Sequence, residues 1–152
     1  MVRIGNKAPD FEFLDEQGQK VKLSHFKGSK VVLYFYPKDM TPGCTKQAED
    51  FRDSLDQFAI ANTKVIGVSK DDMERHNKFK LKHNIPFVLV SDEDGRICES
   101  YAVWVQKKNF GNVYMGIERS TFLINEGGLI ERVWRKVRVK GHVNDVLSIV
   151  KL

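Results

Sequence analysis

The chain has 152 residues, 41% apolar and 30% charged, with a formal net charge of +5. That length suffices for one domain, residues 1–152, burying roughly two-thirds of the surface an unfolded chain exposes, so size alone demands neither a disulfide nor a metal staple. The composition is that of ordinary soluble globular proteins, no apolar run approaches the about 18 residues of a membrane helix, and two cysteines do not make a disulfide framework.

The N-terminal stretch MVRIGNKAPDFEF lacks the apolar centre of a secretory signal. A reducing, cytoplasmic setting is therefore expected, where a thiol is either inert core or working chemistry. Phe11 to Leu14 and Lys20 to Leu23 flank Asp15-Glu16-Gln17-Gly18 and predict an N-terminal hairpin. Lys30 to Tyr36, KVVLYFY, is apolar after its lysine and rich in β-branched and aromatic residues, as a strand covered on both faces should be. Pro37 ends it. Beyond Thr41, Ala48, Phe51, Leu55 and Phe58 recur at intervals of three and four, which predicts an amphipathic helix.

Lys64 to Ser69 reads as a second buried strand, and Asp71-Asp72 opens a helix through about His83, since acidic side chains favour a first turn. Phe87 to Ser91 is a third strand, and Asp94 to Val103 a short helix. Ser120 to Asn125 is a fourth strand, from which Glu126-Gly127-Gly128 turns tightly into LIERVWRKV. A last helix runs from about Val143. Strands alternating with helices and closing on a hairpin predict an α/β fold, a mixed central sheet with helices on both faces. The basic cluster Arg132 to His142 interleaves with Val133, Val137 and Val139 and is expected to be a solvated strand face. The other reading is a surface for nucleic acid or anionic lipid. It would give a salt-sensitive mobility shift, independent of Cys44, that is lost when Arg135, Lys136 and Arg138 are neutralised.

Cys44 stands where a central strand hands over to a helix, the carboxyl edge at which sites in open α/β sheets form. Thr41 is a good N-cap and Pro42 suits the first helical position, so Cys44 falls in the first turn. There the unpaired backbone N–H groups and the positive end of the helix dipole favour a thiolate over a thiol. Gly43 keeps side-chain bulk away, and Pro37 is placed to cover one side of the sulfur. The alternative is a buried structural cysteine beside an ordinary cap. Thr41 occupies the place of the first cysteine of a C-x-x-C motif, which disfavours a disulfide reductase or chaperone of that type; insulin reduction would test it.

The stretch PKDMTPGCT resembles the peroxiredoxin pattern Pro-x-x-x-Thr-x-x-Cys at Pro37, Thr41 and Cys44, and YFYPKDMTPGCTKQAEDFRD is similar to the peroxiredoxin Q, or bacterioferritin comigratory protein, subfamily. VIGVS, SDEDGRICESYAVW, YMGIERSTFLI and RVWRKVRVKGH extend the likeness over nearly the whole chain. The resemblance implies a thioredoxin-like fold and reduction of hydrogen peroxide and organic hydroperoxides at Cys44. It also implies that Thr41 hydrogen-bonds the peroxide, that Pro37 shields the sulfur, and that Arg119 pairs with both. Taken alone, Arg119 reads as a surface ion-pair residue; only the motif around it gives it that role.

Attack on a peroxide leaves Cys44 as a sulfenic acid, recovered only when a thiol condenses with it. Many of the subfamily carry a second cysteine five residues on, where this chain has Glu49. Five positions turn a side chain about 140° around a helix, so even in those relatives the helix has to loosen. The remaining thiol, Cys98, lies among Ile97, Tyr101 and Val103. Two routes follow: an external thiol (thioredoxin, glutaredoxin or glutathione) resolves Cys44 while Cys98 is core, or Cys44 and Cys98 form an internal disulfide. Val105 stands where relatives often have Gly, in the loop QKKNFGNVYMGI.

His25, His76, His83 and His142 lack metal-site spacing, with His76 and His83 reading as a solvated helix stripe. Trp104, Trp134 and the phenylalanines read as core or pocket wall. No cofactor, metal, nucleic-acid partner or membrane is expected. Val105 and Phe110 suit a dimer patch or a pocket rim, and a monomer or weak homodimer is expected.

Overall fold

The structure is a computed structural model that describes residues 2–152. Its centre is a five-stranded mixed sheet in the order β5-β4-β3-β8-β9. β3 (Lys30–Phe35) lies in the middle, parallel to β4 (Thr63–Ser69) and antiparallel to β8 (Ser120–Ile124). β5 (Val88–Ser91) extends the sheet in parallel beyond β4, and β9 (Ile130–Trp134) closes it antiparallel to β8. The expected N-terminal hairpin is β1 (Glu12–Leu14) paired with β2 (Lys20–Lys22), followed by a 3-10 turn at Leu23–Phe26.

Alternation along β3 divides the interior in two. Val32, Tyr34 and Tyr36 face a cluster containing Cys44, Ala48 and Phe51 of α1 (Pro42–Asp53), Phe58 of α2 (Leu55–Ile60), Phe79 of α3 (Met73–His83) and Val146 and Val150 of α5 (His142–Val150). Val31, Leu33 and Phe35 face the other cluster, with Phe13 of β1, Ile97 and Cys98 of α4 (Arg96–Ser100), and Tyr101 and Val103. Helices thus cover both faces of the sheet, as the sequence predicts.

Four features depart from the sequence reading. The helix predicted through Phe58 breaks at Ser54, whose N–H turns back to the carbonyls of Phe51 and Arg52; Leu55 and Phe58 nonetheless continue the buried stripe beyond the break. The short helix is confined to Arg96–Ser100, because Ala102 adopts a left-handed backbone (φ 56°). The segment read as a loop is a hairpin, β6 (Trp104–Asn109) with β7 (Asn112–Ile117), turning at Phe110 and Gly111, both at positive φ (50° and 81°). Two left-handed residues in a two-residue turn match the twist of the flanking strands. Finally, the basic cluster leaves the sheet after Trp134. Val137 and Val139 stay half-buried between exposed Lys136, Arg138 and Lys140, so the alternation persists without a ladder. Arg135 is tied to the carbonyls of Tyr101 and Ala102 at 3.3 and 3.2 Å. Among the described residues, no helix is long and apolar enough to cross a membrane.

Candidate active site

Where β3 ends, Tyr36 still donates its N–H to Val68 O, and the chain then crosses to α1 through residues 37–41. A buried polar network pins this loop. Asp39, 1% exposed, accepts at Oδ1 from the Tyr36 hydroxyl (2.6 Å) and meets His76 Nδ1 at Oδ2 (2.6 Å). His76 Nε2 lies 3.0 Å from Val90 O, an acceptor only, so that nitrogen donates and one proton is shared between Nδ1 and Asp39. Asp39 N–H donates to Asp71 Oδ2 at 2.8 Å, and Asp71 also accepts from Ser69 Oγ (2.7 Å) and Arg75 Nε (3.0 Å).

These bonds correct the reading of His76 as part of a solvated stripe, since it is fully buried. His83 is half-buried, with Nδ1 3.6 Å from Glu49 Oε2. The fold also assembles what spacing did not suggest, a group of Asp39, Asp71 and His76 with ligand-type atoms within 4.8 Å of one another. Those atoms are turned on one another and on the loop, the chemistry of a buried hydrogen-bonded pair rather than of a cation cage. Met40, held at φ 69° beside this anchor, turns the chain into Thr41.

Thr41 occupies the N-cap position with extended backbone, as predicted, but its side chain does not cap. Its hydroxyl donates to Lys38 O at 2.8 Å. The reason is the tight loop, which brings that carbonyl nearer than the helix N–H groups. Two consequences follow. The Thr41 oxygen keeps lone pairs to accept a hydrogen bond, and the first-turn N–H groups of Gly43 and Cys44 stay uncapped beside the sulfur.

Cys44 lies in that first turn and is 2% exposed. Arg119, from the bend between β7 and β8, reaches across to it. Its Nη2 is 3.3 Å from Cys44 Sγ while Nη1 donates to Gln47 Oε1, one turn further along α1. A Cβ on residue 43 would sit 3.4 Å from Arg119 Nη2, so the guanidinium packs directly against the first turn of α1. Val137 N–H donates to Arg119 O at 2.9 Å, and through that bond the basic segment braces the arginine. Pro37 is exposed at the start of the loop.

Among the described residues, two buried polar side-chain atoms lack a hydrogen-bond partner, Tyr34 Oη and Gln47 Nε2, both beside the site. The Tyr34 ring fills the space left by Gly67, where a Cβ would come within 2.9 Å of its Cζ, and stacks on Phe51 at 4.6 Å. Burial, with the Cys44 and Asp39 charges nearby, pushes the Tyr34 phenol well above its ordinary pKa.

Cys98 is elsewhere. It is fully buried in the cluster on the opposite face of the sheet, where Asp92 accepts from its N–H at 2.8 Å. Burial and then Asp92 push its thiol pKa up. Glu49, where a second cysteine was looked for, faces Arg52 at 3.6 Å as well as His83.

The sequence reading named Cys44, Thr41 and Arg119, which this geometry brings together, but missed Gln47, Tyr34, Asp39 and His76. Only Gln47, one turn beyond Cys44 on the same helix face, carried a local signal.

The AhpC/TSA family pattern matches residues 4–133. A peroxiredoxin Bcp of Bacillus subtilis is 55% identical over 150 residues, 99% of this chain and 96% of that one. A cysteine-to-serine mutant of PrxQ from Xylella fastidiosa superposes with a TM-score of 0.93 at 36% identity, covering 99% of this chain and 96% of that one. The bacterioferritin comigratory protein of Xanthomonas campestris, whose structure is described in terms of alkyl peroxide reduction, gives 0.87 at 40% identity, covering 93% and 90%.

Proposed function

The chain belongs to the AhpC/TSA family, as a peroxiredoxin of the Q/Bcp type with a thioredoxin-like fold and thiol-dependent peroxidase activity, and from that premise we propose that Cys44 is the peroxidatic residue and an external thiol its reductant. The observation that carries this reading is the approach of Arg119 Nη2 to within 3.3 Å of a first-turn cysteine sulfur.

The Cys44 thiolate attacks the terminal oxygen of a hydroperoxide. An S–O bond forms as the O–O bond breaks, sulfur is oxidised to sulfenic acid, and the departing oxygen leaves as water or alcohol once protonated. Charge moves from sulfur toward that leaving oxygen, so donors fixed along the line stabilise the transition state. Arg119 holds the sulfur end of that line, where its planar fork binds Gln47 and Cys44 Sγ at once. Thr41, with its proton committed to Lys38, accepts from the hydroperoxide O–H and fixes its direction. Pro37 shields the site from the loop side. The relative whose structure is described with alkyl peroxide reduction supports organic hydroperoxides as substrates.

The positions of the two thiols support an external reductant over a Cys44–Cys98 disulfide. Cys44 packs on one face of the sheet and Cys98 on the other, with β3 between them. Bringing their Cα atoms within the roughly 7 Å that a disulfide tolerates would require unpacking α4 or α1. Mass spectrometry after one equivalent of peroxide tests this. A sulfenic-acid trap on Cys44 is expected, in the parent and equally in Cys98→Ser. Loss of two hydrogens linking Cys44 to Cys98 would overturn the external route, and full peroxide consumption by Cys44→Ser would overturn the whole reading.

A further inference from the structure

Lys107 lies on β6, where its flanking residues Gln106, Lys108 and Asn109 are exposed, yet it is half-buried. The hairpin register explains how. Lys107 pairs with Tyr114 and Val105 with Gly116, so the four share one face of the two-stranded ladder. The lysine stem crosses that face diagonally onto Gly116. A Cβ there would stand 3.2 Å from Lys107 Cδ and 3.5 Å from Cε, so only glycine leaves the stem its full path. Gly116 is three residues before Arg119, and the ammonium is near enough to Arg119 and Cys44 to feel both charges.

There the ammonium meets the like charge of Arg119 without a direct ion-pair partner among the described residues. Among the described residues no carboxylate comes within ion-pair distance of it. Burial lowers its pKa, with Arg119 adding to the shift and the negative charges of Cys44 and Glu118 opposing it. A half-buried cation beside another cation is stabilised by any further negative charge that develops next to it. The peroxidatic step creates that charge.

Resting on the assignment of Cys44 above, we propose that Lys107 is a further residue of the peroxide reaction, a second cation that takes up the charge of the leaving oxygen. The thiolate adds to the terminal oxygen, the O–O bond breaks, and the electron pair goes to the departing alkoxide. The ammonium stabilises that alkoxide by its charge, and the alkoxide takes a proton from water and leaves as alcohol. Arg119 holds the sulfur end of the line and Lys107 serves the far end.

The test is the second-order rate of Cys44 oxidation by tert-butyl hydroperoxide in single turnover. Lys107→Met should slow it roughly tenfold, the effect of one charge at close range in a partly desolvated site. Lys107→Arg should restore most of it, which a purely structural role would not require. Lys108→Met, with the same change in net charge on an exposed neighbour, should match the parent. Gly116→Ala keeps the lysine but displaces its stem, and should fall between the parent and Lys107→Met. A Lys107→Met rate equal to the parent's, or no rescue by arginine, overturns the proposal. A parent that does not react with peroxide would instead overturn the assignment of Cys44.

Discussion

Asp39 Oδ2 and His76 Nδ1 lie 2.6 Å apart with both side chains fully out of water, and this contact, spanning 37 residues of sequence, ties the active-site loop to α3. It fixes the residues from which Thr41 and the first turn of α1 project.

His76→Leu should therefore be costly, because it leaves the Asp39 carboxylate buried with the Tyr36 hydroxyl as its remaining side-chain donor. Removing one partner of a buried charged pair costs about 3–5 kcal/mol. Urea unfolding at neutral pH would measure it, and Asp39→Asn in a double-mutant cycle would separate the coupling from the loss of packing. A cost below about 1 kcal/mol would put the pair on the level of an exposed contact and remove its role as anchor.

The two tyrosines of β3 make a paired prediction. Tyr36 Oη has an acceptor in Asp39, whereas Tyr34 Oη is buried without one. An unpaired buried hydroxyl costs about 1–3 kcal/mol relative to its apolar counterpart, so Tyr34→Phe should be neutral or stabilising. Tyr36→Phe should lose about 1.5–3 kcal/mol, the worth of a hydrogen bond to a charged group. The reverse order in thermal melts would mean that Tyr34 has a partner when the site is at work.

Much of this was legible in the sequence, and the reason is range. Thr41, Pro42 and Cys44 are adjacent, and a helix start is dictated by neighbours. β3 and β4 are continuous apolar runs that nothing but a covered strand accommodates. His76 was misread because its partner lies in a loop 37 residues away, and a titratable side chain on a helix rich in charged residues gives no sign of that partner. The β6–β7 hairpin was missed because Phe110 holds the first turn position, where Asn, Asp or Gly would advertise positive φ, and because its outer residues Val113 and Met115 are exposed and apolar. Thr41 was placed correctly and its bond was not, since only the folded loop shows that Lys38 O competes for the hydroxyl.

Thr41 and Arg119 should respond differently to conservative change. Thr41→Ser keeps the hydroxyl and should retain most peroxidase activity, while Thr41→Val, nearly the same shape, should lose roughly a hundredfold, the scale of one preorganised hydrogen bond in a transition state. Arg119→Lys keeps the charge but cannot hold Gln47 and Cys44 Sγ at once, so it should lose about as much as Arg119→Met. The reading is checked by kcat/KM with a saturating thiol reductant. Rescue by lysine would show that charge alone is what Arg119 supplies.

His142 makes stability depend on pH. It is 5% exposed at the start of α5, with Nε2 2.8 Å from Thr121 Oγ1 and the Trp134 ring edge-on at 5.9 Å. Burial pulls its pKa down to about 4, with Arg119 adding to the shift and Asp145 opposing it. An unfolded histidine titrates near about 6.5. Above that pH both states are neutral and the group contributes no slope. As pH falls from about 6.5 to about 4 the unfolded chain binds a proton that the folded chain refuses, so stability declines, and below about 4 both are charged and the decline stops. The full effect is roughly 3 kcal/mol, of which about 2 is reached by pH 5. His142→Gln keeps a polar partner for Thr121 and cannot titrate. Urea unfolding of parent and variant at pH 7 and pH 5 isolates the term: the parent should lose about 2 kcal/mol more than the variant over that interval. Parallel losses would mean that His142 is as ready to take a proton folded as unfolded, and that the cover of Trp134 and α5 opens to water.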